Sequence, residues 1–200
     1  MQKWKVNCQL AASRDGENFT RVADRQVFIP NGPPGSATAG MVFPIAPVSF
    51  QDRWLVYAMG CSKGHNEPDR EYTIVLYEMR PDGFVSFRAG SREGSLVTRA
   101  FTWLHDSIKI NAYAKKGSIR LEVYDGTKIS DKTATSFDDV YPEPIKGFSK
   151  EDCIPLTADS LDHEFRFKNA DLSQLRGKYV RLRFYLENAD FYSWTRYRKG

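Results

Sequence analysis

The chain has 200 residues, 41% of them hydrophobic and 27% charged, which is ordinary for a globular protein of one large or two small domains. Its net charge of +4 comes from 29 basic and 25 acidic residues. The two signs are interspersed and only Arg196, Arg198 and Lys199 form a basic tail, so we expect no nucleic-acid partner. No apolar run approaches the about 18 residues of a membrane-spanning helix, so we expect no membrane partner either.

The N-terminal segment is predicted to form a strand. Trp4–Leu10 alternates apolar and polar residues, and no apolar stretch of the kind found in signal peptides follows the charged start. We therefore expect the chain to begin within a larger architecture. The compartment stays open, and a longer precursor would make it secreted or periplasmic.

Three cysteines occur, at Cys8, Cys61 and Cys153, without a CxxC pair or zinc-ligand spacing. A Cys8–Cys61 bridge stays open, but small buried hydrophobic residues are the favoured interpretation. No HExxH or EF-hand motif occurs, so no metal and no cofactor is predicted. The Asp-rich loop Ser136–Asp139 leaves a calcium ion as an alternative.

Alternation of apolar and polar residues over five to nine positions recurs along the chain, and helical periodicity is almost absent. Successive side chains of a strand point to opposite faces, so such strands are predicted to be buried on one side only, as in the sheets of a sandwich. The clearest examples are Trp4–Leu10, Ser107–Tyr113, Ser118–Tyr124 and Lys178–Leu186.

Two segments of the first half, Trp54–Met59 and Tyr72–Tyr77, are continuously apolar instead. A run of this kind is typical of a strand that is covered on both faces. We predict that both are central strands.

Turn sequences separate these strands. Asp-Gly pairs at Asp15–Gly16 and Asp82–Gly83 follow strands, as hairpin turns do. Lys115–Gly117 links two alternating strands by a short loop and predicts a hairpin. The one helical turn predicted is Asp171–Gly177, with Asp171 as the N-cap and Gly177 at the exit.

A change in loop length near Ala89–Ser91 predicts a domain boundary. Wide, loop-rich connections precede it and tight turns follow it. We therefore predict an all-β protein with a loop-rich β region over residues 1–89 and an antiparallel, jelly-roll-like β-sandwich over residues 90–200.

Catalytic residues are not indicated. No cysteine has the flanking residues of a known catalytic family, and a Ser-His or Cys-His enzyme that uses His65, His105 or His163 is not expected. His105 and His163 each adjoin an aspartate, at Asp106 and Asp162, and we expect these to be surface residues. Glycoside hydrolysis needs two placed carboxylates, and the spacing of the acidic residues identifies neither.

Two segments hold candidate ligand-binding residues. Gly60–Asn66 places small residues and His65 in one loop, where a ligand approaches the backbone closely; a plain surface loop is the alternative. Phe191–Tyr197 offers Trp194 as a stacking platform for a sugar ring. The favoured alternative is a last strand whose aromatic residues close the sandwich core.

The run Cys8–Val22 resembles a propeller blade of the glycoside hydrolase family 32 and 43 type, in which a strand ends in S-x-D-G-x-x-W/F. Here the motif reads Ser13, Arg14, Asp15, Gly16, Glu17, Asn18 and Phe19, and it is also similar to the Asp-box of sialidases. Later segments resemble the tail of large bacterial family 32-like proteins, namely Arg80–Ser86, Gly94–Thr98, Gly147–Ser149 and Leu175–Phe184.

The resemblance implies the last one or two blades of a five-bladed propeller followed by a β-sandwich. It implies carbohydrate as the partner, with Arg14, Asp15, His65 and Trp194 as substrate-binding residues. An Asp in a DG turn commonly caps the turn itself, and this is the favoured interpretation of Asp15.

Departures from the family pattern limit the activity expected. The first domain has room for one or two blades, and most of the family's catalytic carboxylates lie in earlier blades. Ser36–Ala39 also occupies the loop where relatives are expected to have an acidic residue. We therefore expect a chain that is not catalytic by itself. It would associate with further blades or with another copy, because an incomplete propeller exposes strand edges. The alternative is a non-catalytic carbohydrate-binding or protein-interaction module.

Overall fold

A computed structural model describes residues 4–128 and 142–197 of the chain. Regular structure in these ranges consists of β-strands and three short 3₁₀ turns, and the strands form several antiparallel sheets, none of them closed into a barrel. The predicted all-β fold is confirmed. The Asp-rich loop Ser136–Asp139 and the basic residues Arg198 and Lys199 lie outside the described residues.

Two compact units make up the chain, Met1–Val85 and Ser86–Gly200. The strand Phe87–Ala89 pairs with the last strand of the chain and belongs to the second unit.

The first unit contains eight short or medium strands in the part of the chain described. They are β1 (Cys8–Gln9), β2 (Ala11–Ala12), β3 (Thr20–Arg21), β4 (Val27–Ile29), β5 (Met41–Pro44), β6 (Val48–Phe50), β7 (Arg53–Cys61) and β8 (Tyr72–Met79), with a 3₁₀ turn at Ala23–Arg25.

The main sheet of this unit is built on β7. Strand β8 pairs with one side of β7, and β5 and β6 pair with successive parts of the other side. Strands β1 and β4 form one two-stranded sheet and β2 and β3 another. The small core contains Ile29, Val42, Val56 and Ala58.

The prediction that Trp54–Met59 and Tyr72–Tyr77 are covered on both faces is wrong. Burial alternates along β7 and β8, with Val56 and Ala58 buried but Met59 and Ile74 43% and 79% exposed. Both faces of these strands carry apolar side chains, which is why the sequence alone does not distinguish an outward face from a covered one.

The outward face of this sheet is one contiguous apolar surface, here called the apolar sheet face. Antiparallel pairing sets Phe43, Met59 and Ile74 in one row. The neighbouring rows add further exposed side chains on the same face. The nine exposed members are Phe43, Ile45, Val48, Phe50, Tyr57, Met59, Tyr72, Ile74 and Leu76.

The second unit contains the remaining strands. They are β9 (Phe87–Ala89), β10 (Gly94–Val97), β11 (Phe101–Thr102), β12 (Ser107–Tyr113), β13 (Ser118–Asp125), β14 (Asp159–Glu164), β15 (Tyr179–Glu187) and β16 (Ala189–Tyr197), with 3₁₀ turns at Gly126–Lys128 and Leu172–Leu175.

Two four-stranded antiparallel sheets form a sandwich. In one, β15 pairs with β13 on one side and with β10 and β11 on the other; in the second, the order is β14-β12-β16-β9. Their inward side chains make a core in which the large residues are fully buried. The largest are Trp103, Phe184, Ile108, Ile110, Ile119, Leu121, Leu175 and Leu182.

The predicted hairpin at Lys115–Gly117 is wrong. Strands β12 and β13 belong to different sheets, so the short turn between them crosses from one sheet to the other. A short connection fits either arrangement, and here the partners of each strand come from distant parts of the chain. Gly117 is required there, because a Cβ would lie 1.8 Å from the carbonyl oxygen of Glu187.

The alternating strands of this unit are also more buried than predicted. At four outward positions of these strands the residue has at most 6% of its surface exposed, namely Ser107, Asn111, Glu122 and Arg181. Polar side chains on these strands therefore mark a second, hydrogen-bonded layer and not a solvent face.

The predicted helical turn is confirmed as the 3₁₀ turn Leu172–Leu175. The Asp171 carboxylate accepts a hydrogen bond from the backbone N–H of Ser173 at 2.9 Å, and Gly177 follows with φ of +81°. Leu172 and Leu175 fix the turn by inserting into the core.

Candidate functional site

A hollow of about 200 Å³ opens in the second unit. It lies where β12 begins, where β14 ends and beside the 3₁₀ turn Leu172–Leu175. Phe165, Phe167 and Leu172 are among its lining residues, and each has at most 7% of its surface exposed. These three residues belong to the sandwich core and contribute the apolar part of the lining.

One wall of the hollow is polar and buried. Asp106 and Ser107 are 7% and 2% exposed and stand at the entrance to β12. The Ser107 hydroxyl donates a hydrogen bond to Glu164 Oε1 at 2.7 Å, and the Arg176 guanidinium forms an ion pair with the Asp106 carboxylate. The wall is thus held in place by bonds between three elements.

The rim carries both signs of charge. Asp171, which caps the 3₁₀ turn, and the exposed Arg166 both line the hollow. Carboxylate oxygens accept hydrogen bonds and a guanidinium donates them. The hollow therefore fits a small ligand with one apolar side and several hydroxyl or amino groups.

The expectation that the aspartates next to His105 and His163 are surface residues is wrong for Asp106. Its partner Arg176 lies 70 positions away in sequence, and no local pattern links the two. Asp162 is exposed and pairs with Lys109 at 3.4 Å.

A wider hollow in the first unit is lined by Lys5, Asn7, Gln9 and Arg21 with the neighbouring backbone. All four of these side chains are exposed. Because its walls are not fixed by burial, this hollow is the weaker candidate site.

Arg14 and Asp15 lie together in the turn between β2 and β3, in the first unit. The Asp15 carboxylate accepts hydrogen bonds from the backbone N–H groups of Glu17 and Asn18 at 2.9 and 2.8 Å, and from the Ser13 hydroxyl at 2.7 Å. These bonds, with one from the Asn18 side chain as the largest cause, hold the pKa of Asp15 well below its ordinary value. Asp15 caps its own turn, as expected for a DG turn.

His65 lies exposed in the loop between β7 and β8. Its backbone N–H donates to the carbonyl of Trp4 at 2.8 Å, and its own carbonyl accepts from Arg70 at 2.8 Å. The small residue that the loop requires is Gly64, which is buried and whose N–H donates to Glu67 Oε2 at 2.7 Å. The loop is thus shaped by its backbone contacts.

Trp194 belongs to the second unit, whereas Arg14, Asp15 and His65 belong to the first. Its ring is half-buried, 5.9 Å between centroids from Phe101 and 6.4 Å from Phe184. The Arg196 guanidinium lies 5.6 Å from its ring centroid. Trp194 packs against the sandwich core, and its use as a sugar platform stays a prediction.

A second polar cluster, here called the Glu122 network, was not indicated by the sequence. The hydroxyls of Tyr124 and Tyr185 both donate to Glu122 Oε2, the latter at 2.5 Å. The backbone N–H of Lys150 donates to the other oxygen of Glu122 at 3.2 Å. The Lys150 ammonium lies 2.7 Å from Glu93 and 4.5 Å from the Tyr185 ring centroid.

Burial within this network raises the pKa of both tyrosines, and the hydrogen bond to Glu122 raises each further. The network joins β13 and β15 to the segment that contains Lys150. These hydrogen bonds hold the outer face of that sheet together.

We expect the second unit to lose stability as the pH rises above about 10, the ordinary pKa of tyrosine. The folded state keeps protons on Tyr124 and Tyr185 that the unfolded chain releases, so this stability is complete below that pH and falls above it. Guanidinium unfolding midpoints at about pH 9 and about pH 11 measure the loss. The unfolding midpoint of Tyr185→Phe should fall less between these two pH values than that of the wild type. An equal fall in both proteins would contradict the prediction.

Comparison of the sequence and fold with family models, curated proteins and solved structures finds no match. Among residues 4–128 and 142–197, no helix is long and apolar enough to cross a membrane. The same residues contain no group of three or more His, Cys, Asp or Glu side chains able to hold a metal ion. The resemblance to the family 32 and 43 type stays a prediction.

Proposed function

We propose that this chain is a non-catalytic carbohydrate-binding protein related to the C-terminal region of family 32-like glycoside hydrolases. In this proposal the hollow of the second unit binds one sugar ring. The observation that carries it is the combination of apolar core residues and buried polar residues in the lining of one hollow.

A sugar ring matches the two sides of the hollow. Its C–H groups pack on apolar side chains such as Phe165 and Leu172, while its hydroxyls donate to Glu164 and Asp171 and accept from Arg166. Sites for drug-sized ligands are about 300–1,000 Å³, so a hollow of about 200 Å³ favours a single ring.

Binding rather than hydrolysis is proposed because both wall carboxylates already have partners. Glycoside hydrolysis needs one carboxylic acid that donates a proton and a second carboxylate that acts as base or nucleophile. Arg176 forms an ion pair with Asp106, and the Ser107 hydroxyl donates a hydrogen bond to Glu164. Such carboxylates are suited to accept hydrogen bonds from hydroxyl groups.

The blade-like ancestry of the first unit is part of the same proposal. The turn between β2 and β3 is built by Ser13, Asp15 and Asn18, which are residues of the motif that resembles a propeller blade. This geometry supports the relationship to carbohydrate-active proteins and assigns no substrate to the turn.

The test is titration of the ¹⁵N-labelled chain with a panel of hexoses, pentoses and their methyl glycosides, followed by amide chemical shifts. We expect one sugar class to shift the amides around Ser107, Phe165 and Leu172 with a Kd of about 1 mM, as a site for a single ring allows. Glu164→Gln should weaken this binding at least about tenfold, because a neutral amide replaces a charged acceptor.

Asp162→Asn is the matched control, since Asp162 lies on the same strand but is exposed. Its affinity should equal that of the wild type. Shifts confined to residues outside the hollow, an equal loss in both variants, or no shift at about 100 mM of any sugar would reject the proposal.

A further inference from the structure

We infer that the apolar sheet face of the first unit is the contact surface between two copies of this chain. In this arrangement the two faces pack directly on each other. The inference goes beyond the proposed function, because the hollow belongs to the second unit and uses none of the same residues.

The face is too exposed and too apolar to be an ordinary protein surface. Ile74 is 79% exposed, and Leu76 and Tyr57, which pair with each other, are 49% and 41% exposed. The two central rows, Phe43–Met59–Ile74 and Ile45–Tyr57–Leu76, contain no charged side chain. Soluble sheets of this kind normally alternate with polar residues on the outward side.

The area of the face is that of a stable interface. A large apolar side chain has about 200 Å² of surface, so nine of them, each roughly half exposed, present on the order of 1,000 Å². The largest apolar patch of a typical monomer is about 300–600 Å². A standard interface buries about 800 Å² on each partner.

A second copy is the occupant that this face fits. It offers an identical flat surface, and two-fold symmetry brings each row against the same face of the partner. Antiparallel sheets pack in this way at about 10 Å, with their strands within about 30° of each other. Apolar rows then meet apolar rows.

Charge at the edge of the face is compatible with this packing. Glu78, the last residue but one of β8, lies on this face, and the Arg53 guanidinium lies 2.9 Å from its carboxylate. Because each copy neutralises this charge internally, the two-fold axis brings no unpaired like charges together.

The experiment measures the molar mass of the full chain by light scattering and sedimentation velocity between about 1 and 100 µM, a range that detects dissociation constants near 1 µM. We expect twice the chain mass of 22.9 kDa. Ile74→Glu should weaken dimerisation at least about 100-fold, because a carboxylate enters an apolar interface once from each copy. Ile74 is exposed in the chain itself, so the variant should fold, as circular dichroism will check.

Phe19→Glu is the matched control, since Phe19 is 63% exposed in the same unit but lies before β3 and off the sheet face. This variant should remain a dimer. A monomeric wild type, a dimer that survives Ile74→Glu, or an open series of larger oligomers would overturn the inference. None of these outcomes bears on sugar binding, which the titration of the hollow tests separately.

Discussion

Replacing Phe184 by alanine is expected to lower the free energy of unfolding of the second unit by about 4 kcal/mol. Phe184 is fully buried near the middle of β15. Its ring centroid lies 4.9 Å from that of Phe191 on β16 and 5.9 Å from that of Phe165, which follows β14. Alanine leaves a cavity between the two sheets that neighbouring aromatic rings are too rigid to fill.

Hydrogen exchange of β12 and β15 amides measures this loss for the second unit alone, which matters because two units need not unfold together. Phe87→Ala is the control, since Phe87 is 60% exposed on β9 of the same unit; it should change stability by less than about 1 kcal/mol. An effect of Phe184→Ala as small as that of the control would show that the sheets do not share this core.

Replacing Glu122 by alanine is expected to lower the free energy of unfolding of the second unit by about 3 kcal/mol. The change removes the acceptor for the hydroxyls of Tyr124 and Tyr185 and for the N–H of Lys150. Tyr124 is only 3% exposed, so its hydroxyl has no ready access to water as a substitute partner. The same exchange measurement reports the loss.

Two further variants test whether the loss of stability comes from the hydrogen-bond network or only from removing a side chain. Glu187→Ala alters an exposed residue of β15 and should be nearly neutral. Combining Glu122→Ala with Tyr185→Phe should cost less than the sum of the single changes, because both remove the same bond. Full additivity would contradict the idea that these residues act as one network.

The strands and turns follow from short-range patterns, and this is why the sequence predicts them well. Alternation marks β12, β13 and β15, and Asp171 and Gly177 bound the one predicted helical turn. Burial depends instead on what covers each face. Lys150 reaches Glu122 from 28 positions away, and no local pattern of β13 indicates that its outward side is enclosed.

In the candidate functional residues too, local features can be predicted from the sequence and long-range contacts cannot. Asp15 occupies a local turn, so its capping role is readable from the DG sequence. The hollow brings Asp106 and Ser107 together with Glu164, which lies far from them in sequence. Their proximity is set by sheet pairing, which single-sequence periodicity does not determine.

The crossing turn at Lys115–Gly117 has a consequence for the order in which the second unit folds. Since β12 and β13 do not pair with each other, the neighbours of both include strands formed near the C-terminal end, β16 and β15. During synthesis, the strands before β15 therefore cannot complete their sheets until β15 and β16 have been made. A nascent chain halted before Tyr179 would leave β12 without β16 and β13 without β15, and unpaired apolar strands invite pairing with other chains.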